Sequence, residues 1–478
     1  ALIEDSLKTD AFNFGCLFEK YLITRDETVL IQLRNLMKRG APDYEALVLD
    51  YTSAGRFEEA LAVAELAIAQ PAGEQTLLHY YKSWCLIRLG KTAEAQIAIA
   101  TAEKEPADYC FPNALEAIEA LQCVVDFAGK APKALYYLGN LWYDKRRYPT
   151  AIAAWERSSR EDETFPTVWR NLSLAYFNKM NRPDEAVALL EKAFRLDHTD
   201  ARVLMELDQL YKRLNRPHIE RLCFLEQHID IVMTRDDLYL EYVTLLNQTG
   251  QYREAIRRID QRKFHPWEGG EGKVPAQYQL ARLELAKELI NRKKYDDALA
   301  LIDECYIYPT HLGEGKLPGA QENDFNYYKA YILQQQGRPE EAHSLFVKAS
   351  SGNSQPAAAM YYNDQKPDKI FYQGLAYRKL GEEEKARSRF NQLITYGEEH
   401  LFDRFKMDYF AVSLPDLLIW EDDMDKKNRI HCNYLMALGH LGLGNRTKAE
   451  HFFDIAASMD NNHQGVQIHR KLMNTILS

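Results

Sequence analysis

Apolar residues recur along this chain at helical spacing, and between Leu135 and Phe224 one arrangement returns every 34 or 35 residues. Leu138-Gly139, Trp142, Ala151 and Trp155 are followed by Leu172-Ser173, Tyr176, Ala186 and Leu190. A third pass gives Leu207, Tyr211 and Phe224, with Glu220 where the alanine belongs. A large residue, a small one beside it and an aromatic three further on fill one helix face. A small residue nine or ten later, with a bulky one four after it, fills the facing side of a second helix. Such a pair of helices cannot bury its apolar face alone, so successive pairs must stack into a solenoid with a concave surface.

The polar joints between paired helices extend this period over the chain. They fall at Gly55, Gly90, Arg146, Asn181, Asn215, Gly250, Lys293, Gly337, Gly381 and Gly444. The interval of 56 from Gly90 to Arg146 leaves a surplus for one inserted helix, starting near Asn113. Pro149, Pro183 and Pro217 are expected in the first turn of second helices, where a missing N–H costs little. From Gly250 the intervals lengthen to 43, 44 and 44, and the last, 63, leaves room for one or two extra helices in LFDRFKMDYFAVSLPDLLIWEDD. The expected organisation is eleven pairs in three segments: 1–130 with the inserted helix, 131–265 with regular repeats, and 266–478 with longer repeats.

Leucine, glycine, tyrosine, alanine and phenylalanine at a 34-residue period resemble the tetratricopeptide (TPR) pattern. The resemblance implies an all-α TPR solenoid, a right-handed superhelix of about eleven antiparallel pairs. The strings YYLGNLWYDKRRY, FPTVWRNLSLAYFNK, HPWEGGEGK and LGEGKLPGAQEND further resemble the C-terminal repeat region of large bacterial proteins with a β-rich N-terminal domain of unknown function. The opening ALIEDSLKTDAFN resembles the end of a repeat, with Leu7 on Phe194 and Asp10 on Asp197. A fragment of a longer protein is expected.

Charge and composition narrow the partners. Net charge is −10 and no basic run exceeds three residues, as at Lys145-Arg146-Arg147 and Arg292-Lys293-Lys294, so nucleic acid is not an expected partner, since phosphate binding needs a clustered positive field. No stretch approaches the roughly 18 apolar residues of a membrane span. Seven scattered cysteines without a CxxC pair read as buried free thiols in a reducing, cytoplasmic compartment. His431, Cys432, His440 and His451 lack metal-ligand spacing, and no GxSxG, HExxH or Rossmann fingerprint is present. Neither metal, cofactor nor catalytic residue is expected.

Candidate binding residues fall in two groups. Gly270-Glu271-Gly272-Lys273 and Gly313-Glu314-Gly315-Lys316 lie 43 apart. Their glycines admit close backbone approach, and N–H groups beside a lysine at a helix N-terminus suit an anion. The alternative is that their charges only staple neighbouring repeats. Trp267 offers an aromatic wall or packs on the helix beneath. The second group is Tyr136, Asn140, Arg170 and Asn171, on first helices that line the concave side of TPR arrays. Asn140 and Asn171 match the asparagines of a TPR carboxylate clamp, with Arg170 or Arg202 as the charge, but Tyr136 stands where that clamp has lysine.

Three functions remain open. One is a non-enzymatic scaffold holding a peptide, a protein or an N-terminal domain of the same protein. Another is an accessory region of a bacterial enzyme, with the glycine loops binding an anionic or sugar ligand. The last is an architectural spacer with its contact surface at 105–130 and 397–427.

Overall fold

The computed structural model describes residues 1–38, 40–70, 75–359, 364–404 and 419–473. Among them are twenty-six α-helices and no strand. Eleven consecutive helix pairs account for twenty-two of the helices, and the chain divides into two compact units, Ala1–Asp197 and His198–Ser478.

The N-terminal unit holds five pairs: Phe14–Thr24 with Glu27–Leu36, Ala41–Ser53 with Phe57–Ile68, Thr76–Arg88 with Thr92–Ala102, Pro132–Asp144 with Tyr148–Glu161, and Pro166–Asn178 with Pro183–Leu196. The inserted helix is Glu116–Ala128; it starts three residues later than Asn113 and buries Ala117, Ala120, Leu121, Val124 and Val125. Six pairs follow in the C-terminal unit: Ala201–Arg213 with His218–Gln227, Asp236–Gln248 with Tyr252–Asp260, Lys273–Asn291 with Tyr295–Cys305, Asn323–Gln335 with Pro339–Ser350, Pro367–Lys379 with Glu383–His400, and Met424–Gly442 with Arg446–Met459. The helix Gln464–Leu472 comes last. The extra helices expected within 401–423 fall largely on residues 405–418, outside the described residues.

Every predicted joint turns through the left-handed region. Its φ runs from +52° at Asn181 to +80° at Gly381 and Gly444, and Arg146, Asn215 and Lys293 adopt it without glycine's freedom. Each such residue costs roughly 1–2 kcal/mol relative to glycine, so the reversal of the chain is fixed by the stacking of the helices it joins. Pro149 and Pro183 lie in the first turn as expected, whereas Pro217 sits one residue earlier, as the cap of His218–Gln227.

Within a pair, the small residue of the first helix receives the bulky residue of the second. A Cβ on Gly139 would stand 2.2 Å from the Trp155 indole nitrogen. That nitrogen donates to the Tyr136 carbonyl at 3.1 Å, so hydrogen bonding and shape set the same approach.

One pair is held differently. In the C-terminal unit the Arg221 guanidinium, fully buried, donates to both Asp208 carboxylate oxygens at 3.0 and 2.7 Å and to Glu241 at 2.7 Å. Arg221 follows Glu220, the residue at which the alanine signature fails, and the charge cluster joins three helices. All seven cysteines are free; Cys85, Cys110, Cys305 and Cys432 are buried, while Cys223 is exposed, so burial of the thiols is only partial. No helix of the described residues is long and apolar enough to cross a membrane.

Candidate binding cleft

The first helices of five successive pairs in the C-terminal unit turn one face toward a common cleft of about 1520 Å³. Gln209 and Lys212, Leu240 and Glu241, Leu283 and Lys287, Asp324, and Lys369 and Tyr372 contribute to it in turn. The spacing follows from the repeat: residues three, six, nine or ten, and twelve or thirteen before a joint point inward, because they share one face of a 3.6-residue helix.

The floor is a set of paired charges at unusual depth. Lys287 Nζ donates to Glu284 at 2.6 Å, and both side chains are less than a tenth exposed. Lys369 Nζ lies 2.5 Å from Asp324, and the Tyr328 and Tyr372 hydroxyls meet at 3.3 Å. Further along, Lys212 Nζ bonds both oxygens of Glu241 at 2.9 and 3.0 Å. Burial opposes the charge of Glu241, but Lys212 and Arg221 outweigh it and hold the carboxyl down to about 2.

The last helix closes one side. Asn461 donates twice to Asn215: its side-chain amide to the Asn215 carbonyl at 2.7 Å, and its backbone N–H to Asn215 Oδ1 at 3.1 Å. Asn462 accepts from Arg221 at 2.7 Å through its side chain and from Gln248 at 2.8 Å through its carbonyl. Gln464 bonds Gln277 at 2.9 Å. This strap, residues 460–464, thus ties the end of the unit to helices about two hundred residues earlier with hydrogen bonds. His463, Gln464, Ile468 and His469 thereby join the lining, as does Trp420, whose indole donates to the Glu206 carbonyl at 3.2 Å.

Both glycine loops lie at this cleft and touch each other. Gly272 N–H donates to Glu314 at 2.7 Å, and Phe264 N–H donates to the His311 carbonyl at 2.8 Å. Gly313, at φ +75°, has no room for a side chain: a Cβ there would stand 2.7 Å from the Phe264 carbonyl oxygen. Gly270 lies under the Trp267 ring at 2.3 Å from its would-be Cβ, so Trp267 packs on its own loop while still lining the cleft. Gly315 has open space around it.

The two lysines differ. Lys316 donates to the Tyr306 carbonyl at 2.9 Å and pairs with Glu322. Lys273 begins the helix Lys273–Asn291, capped by Gly272 at φ +72°, and has no salt bridge among the described residues. Burial, then Lys212, pushes its ammonium down from the ordinary lysine value. The expectation that both loops open into helices holds for the first alone. After Lys316 the chain runs through Pro318 and Gly319, at φ +83°, before the helix starts at Asn323.

The other candidates sit in the N-terminal unit, and Asn140 and Asn171 are brought together there. Asn171 donates to Asn140 Oδ1 at 3.0 Å, which also accepts from Trp155 at 3.2 Å, while Arg170 donates to Asn171 at 3.2 Å. Tyr136 is buried edge-on against Phe165, ring centroids 5.0 Å apart.

Sequence reasoning missed His469, Gln464, Asn462, Trp420 and the buried pairs on the floor. Repeat register would have found Glu241, Glu284 and Lys287, at nine or six residues before their joints. Nothing in the register points to the strap.

Tetratricopeptide repeat family models match residues 370–396 and 111–166. Among solved structures, the chain is similar to the TPR domain of P58(IPK), at 14% identity over 91% of this chain and 98% of that one, with a TM-score of 0.26. A tetratricopeptide repeat protein from Parabacteroides merdae matches at 15% identity over 63% and 99%, TM-score 0.26. MamA from Desulfovibrio magneticus matches at 16% identity over 40% and 95%, TM-score 0.25.

Proposed function

From a chain built of tetratricopeptide repeats, we propose a non-enzymatic interaction scaffold whose cleft in the C-terminal unit grips a peptide segment of a partner protein. The observation that carries this reading is the cleft itself. Its volume of about 1520 Å³ exceeds the roughly 300–1,000 Å³ of small-molecule sites, and it is lined by repeated helix faces rather than by one loop cluster. Lys212, Lys287 and Lys369 are each tied to a carboxylate, which leaves the floor preformed with little side-chain entropy to lose on binding.

Panning a random peptide library against the chain tests the reading. Ala276 is an exposed helical residue on the cleft wall, and Ala276→Trp obstructs the cleft without touching the core. Selected peptides are expected to bind this variant at least tenfold more weakly. Selection of peptides that bind wild type and variant alike, or of none, sinks the proposal.

A second reading, an accessory small-molecule site at the glycine loops, is favoured by one observation: Lys273 has no salt bridge among the described residues and stands at a helix N-terminus, where anions are stabilised. Thermal unfolding with phosphate and with neutral sugars, in wild type and Lys273→Ala, tests it. A shift that is lost in the variant supports the small-molecule site, and an unchanged shift removes it.

A further inference from the structure

The charge of the cleft selects among peptides. Ten carboxylates line it against six lysine and arginine side chains. Of the six, Lys212, Arg213, Lys287 and Lys369 are each held by a carboxylate. Among the described residues, Glu268, Glu271 and Glu314 have no salt bridge, and all three stand on or beside the two joined glycine loops. Burial, and then the neighbouring Glu271 charge against the Gly272 N–H bond, leaves the Glu314 carboxyl above the ordinary range. A cleft with low-dielectric walls and an excess of one sign focuses its field outward and draws the opposite charge in.

A second observation comes from the floor. His469 is only 4% exposed and lines the cleft. Its Nδ1 lies 3.1 Å from the Tyr434 hydroxyl, which can accept or donate, and 2.8 Å from the Gly465 carbonyl oxygen, which can only accept, so Nδ1 carries the proton. Nε2 is then a bare acceptor, and it is buried without a partner. An unmet acceptor of this kind costs free energy until a donor reaches it. Burial pushes the His469 imidazole down to about 3, so the ring stays neutral and accepting at ordinary pH. Among side chains that carry donors and no acceptor, lysine and arginine are the charged ones, and the partly exposed rings of Trp267 and Tyr308 in the lining offer faces to such cations.

We propose that the cleft of the C-terminal unit takes a lysine- or arginine-bearing peptide segment, with Glu268, Glu271 and Glu314 receiving its charges at the glycine loops and His469 Nε2 accepting from it at the floor. The proposal rests on the peptide-scaffold reading and adds the chemistry of the ligand.

Fluorescence anisotropy with labelled (Lys-Ala)5, (Glu-Ala)5 and (Ser-Ala)5 at physiological salt tests it on the full chain. Three variants accompany wild type. Glu268→Lys/Glu271→Lys reverses two exposed charges at the loops. Glu340→Lys/Glu384→Lys reverses two exposed charges away from the cleft. His469→Phe keeps an aromatic ring among Phe371, Tyr372 and Tyr434 but removes the acceptor, with circular dichroism checking that it folds. Binding of (Lys-Ala)5 is expected, weakened about tenfold by the loop variant, several-fold by His469→Phe, and unchanged by the distant variant. The proposal is overturned if (Lys-Ala)5 does not bind, if the distant variant weakens it equally, or if (Glu-Ala)5 binds more tightly. Should library-selected acidic or neutral peptides occupy the cleft, the basic-ligand proposal falls while the scaffold reading stands. If no peptide is sensitive to Ala276→Trp, both fall.

Discussion

Arg221→Leu is expected to destabilise the protein by about 3–5 kcal/mol, the cost of stranding buried charge by removing one partner. Arg221 and Asp208 are both essentially inaccessible, and Glu241 shares the same guanidinium. Leucine fills part of the space but leaves Asp208 without the two bonds that offset its burial. The same variant cuts the bond to Asn462, so hydrogen exchange at 460–464 is expected to accelerate more than in the helices around it. Arg221→Met with Asp208→Leu is expected to recover most of the loss, because an apolar replacement of a whole buried ion pair is often neutral. Urea unfolding of the three proteins measures this. A single-variant cost below about 1 kcal/mol would show that water reaches the cluster and compensates it.

The pH dependence has a definite sign. Glu241 is held down to about 2 in the fold, against roughly 4.3 for an unfolded glutamate. Its contribution is fully present above the unfolded value and is lost as pH falls from there through about 2. In Arg221→Leu the guanidinium half of that depression is gone, so the difference between wild type and variant should narrow on acidification below about pH 4.

How much of this was legible follows from what the repeat controls. Glycine together with spacing marked six of the ten joints, and spacing placed Arg146, Asn181, Asn215 and Lys293, because the period fixes where a helix must reverse whatever residue stands there. The cleft's wall was legible in kind, since inward positions recur at fixed distances before each joint. Its other side was not. Asn215 and Asn461 are 246 residues apart, and a contact at that separation leaves no trace in a period of 34 to 44. The kinship of the two glycine loops was visible as an echo, and their contact through Gly272 and Glu314 follows from adjacency of repeats. Their different exits were not, although Pro318-Gly319 after Lys316 was the available signal: proline disfavours helix in the residue before it and glycine then turned the chain. The cluster around Arg221 announced itself only as a failure, a glutamate in the alanine slot at Glu220.

The small-against-large rule that organised the sequence reading yields the second large effect. Phe390 is fully buried and is enclosed by three glycines. A Cβ on Gly374 would stand 2.4 Å from its ring and one on Gly442 2.2 Å, while one on Gly439 would stand 2.5 Å from the Phe390 carbonyl oxygen. Gly374 and Phe390 occupy the same repeat positions as Gly139 and Trp155, so one pair tests the rule for the others. Phe390→Ala is expected to cost about 3–5 kcal/mol by loss of burial and the cavity left behind. Gly442 is the last residue of the helix Met424–Gly442, where alanine gains up to the roughly 1 kcal/mol of helix propensity it has in a helix interior. Overpacking against the ring costs about 1–3 kcal/mol, so Gly442→Ala is expected to destabilise on balance. With Phe390→Ala already made, the new methyl enters the cavity instead of the ring, the propensity gain is no longer opposed, and Gly442→Ala becomes stabilising. A double-mutant cycle by urea unfolding reads this reversal as a coupling of about 1–3 kcal/mol. Additivity of the two substitutions would mean that the ring moves aside freely, and that glycine in this position is not held there by its aromatic partner.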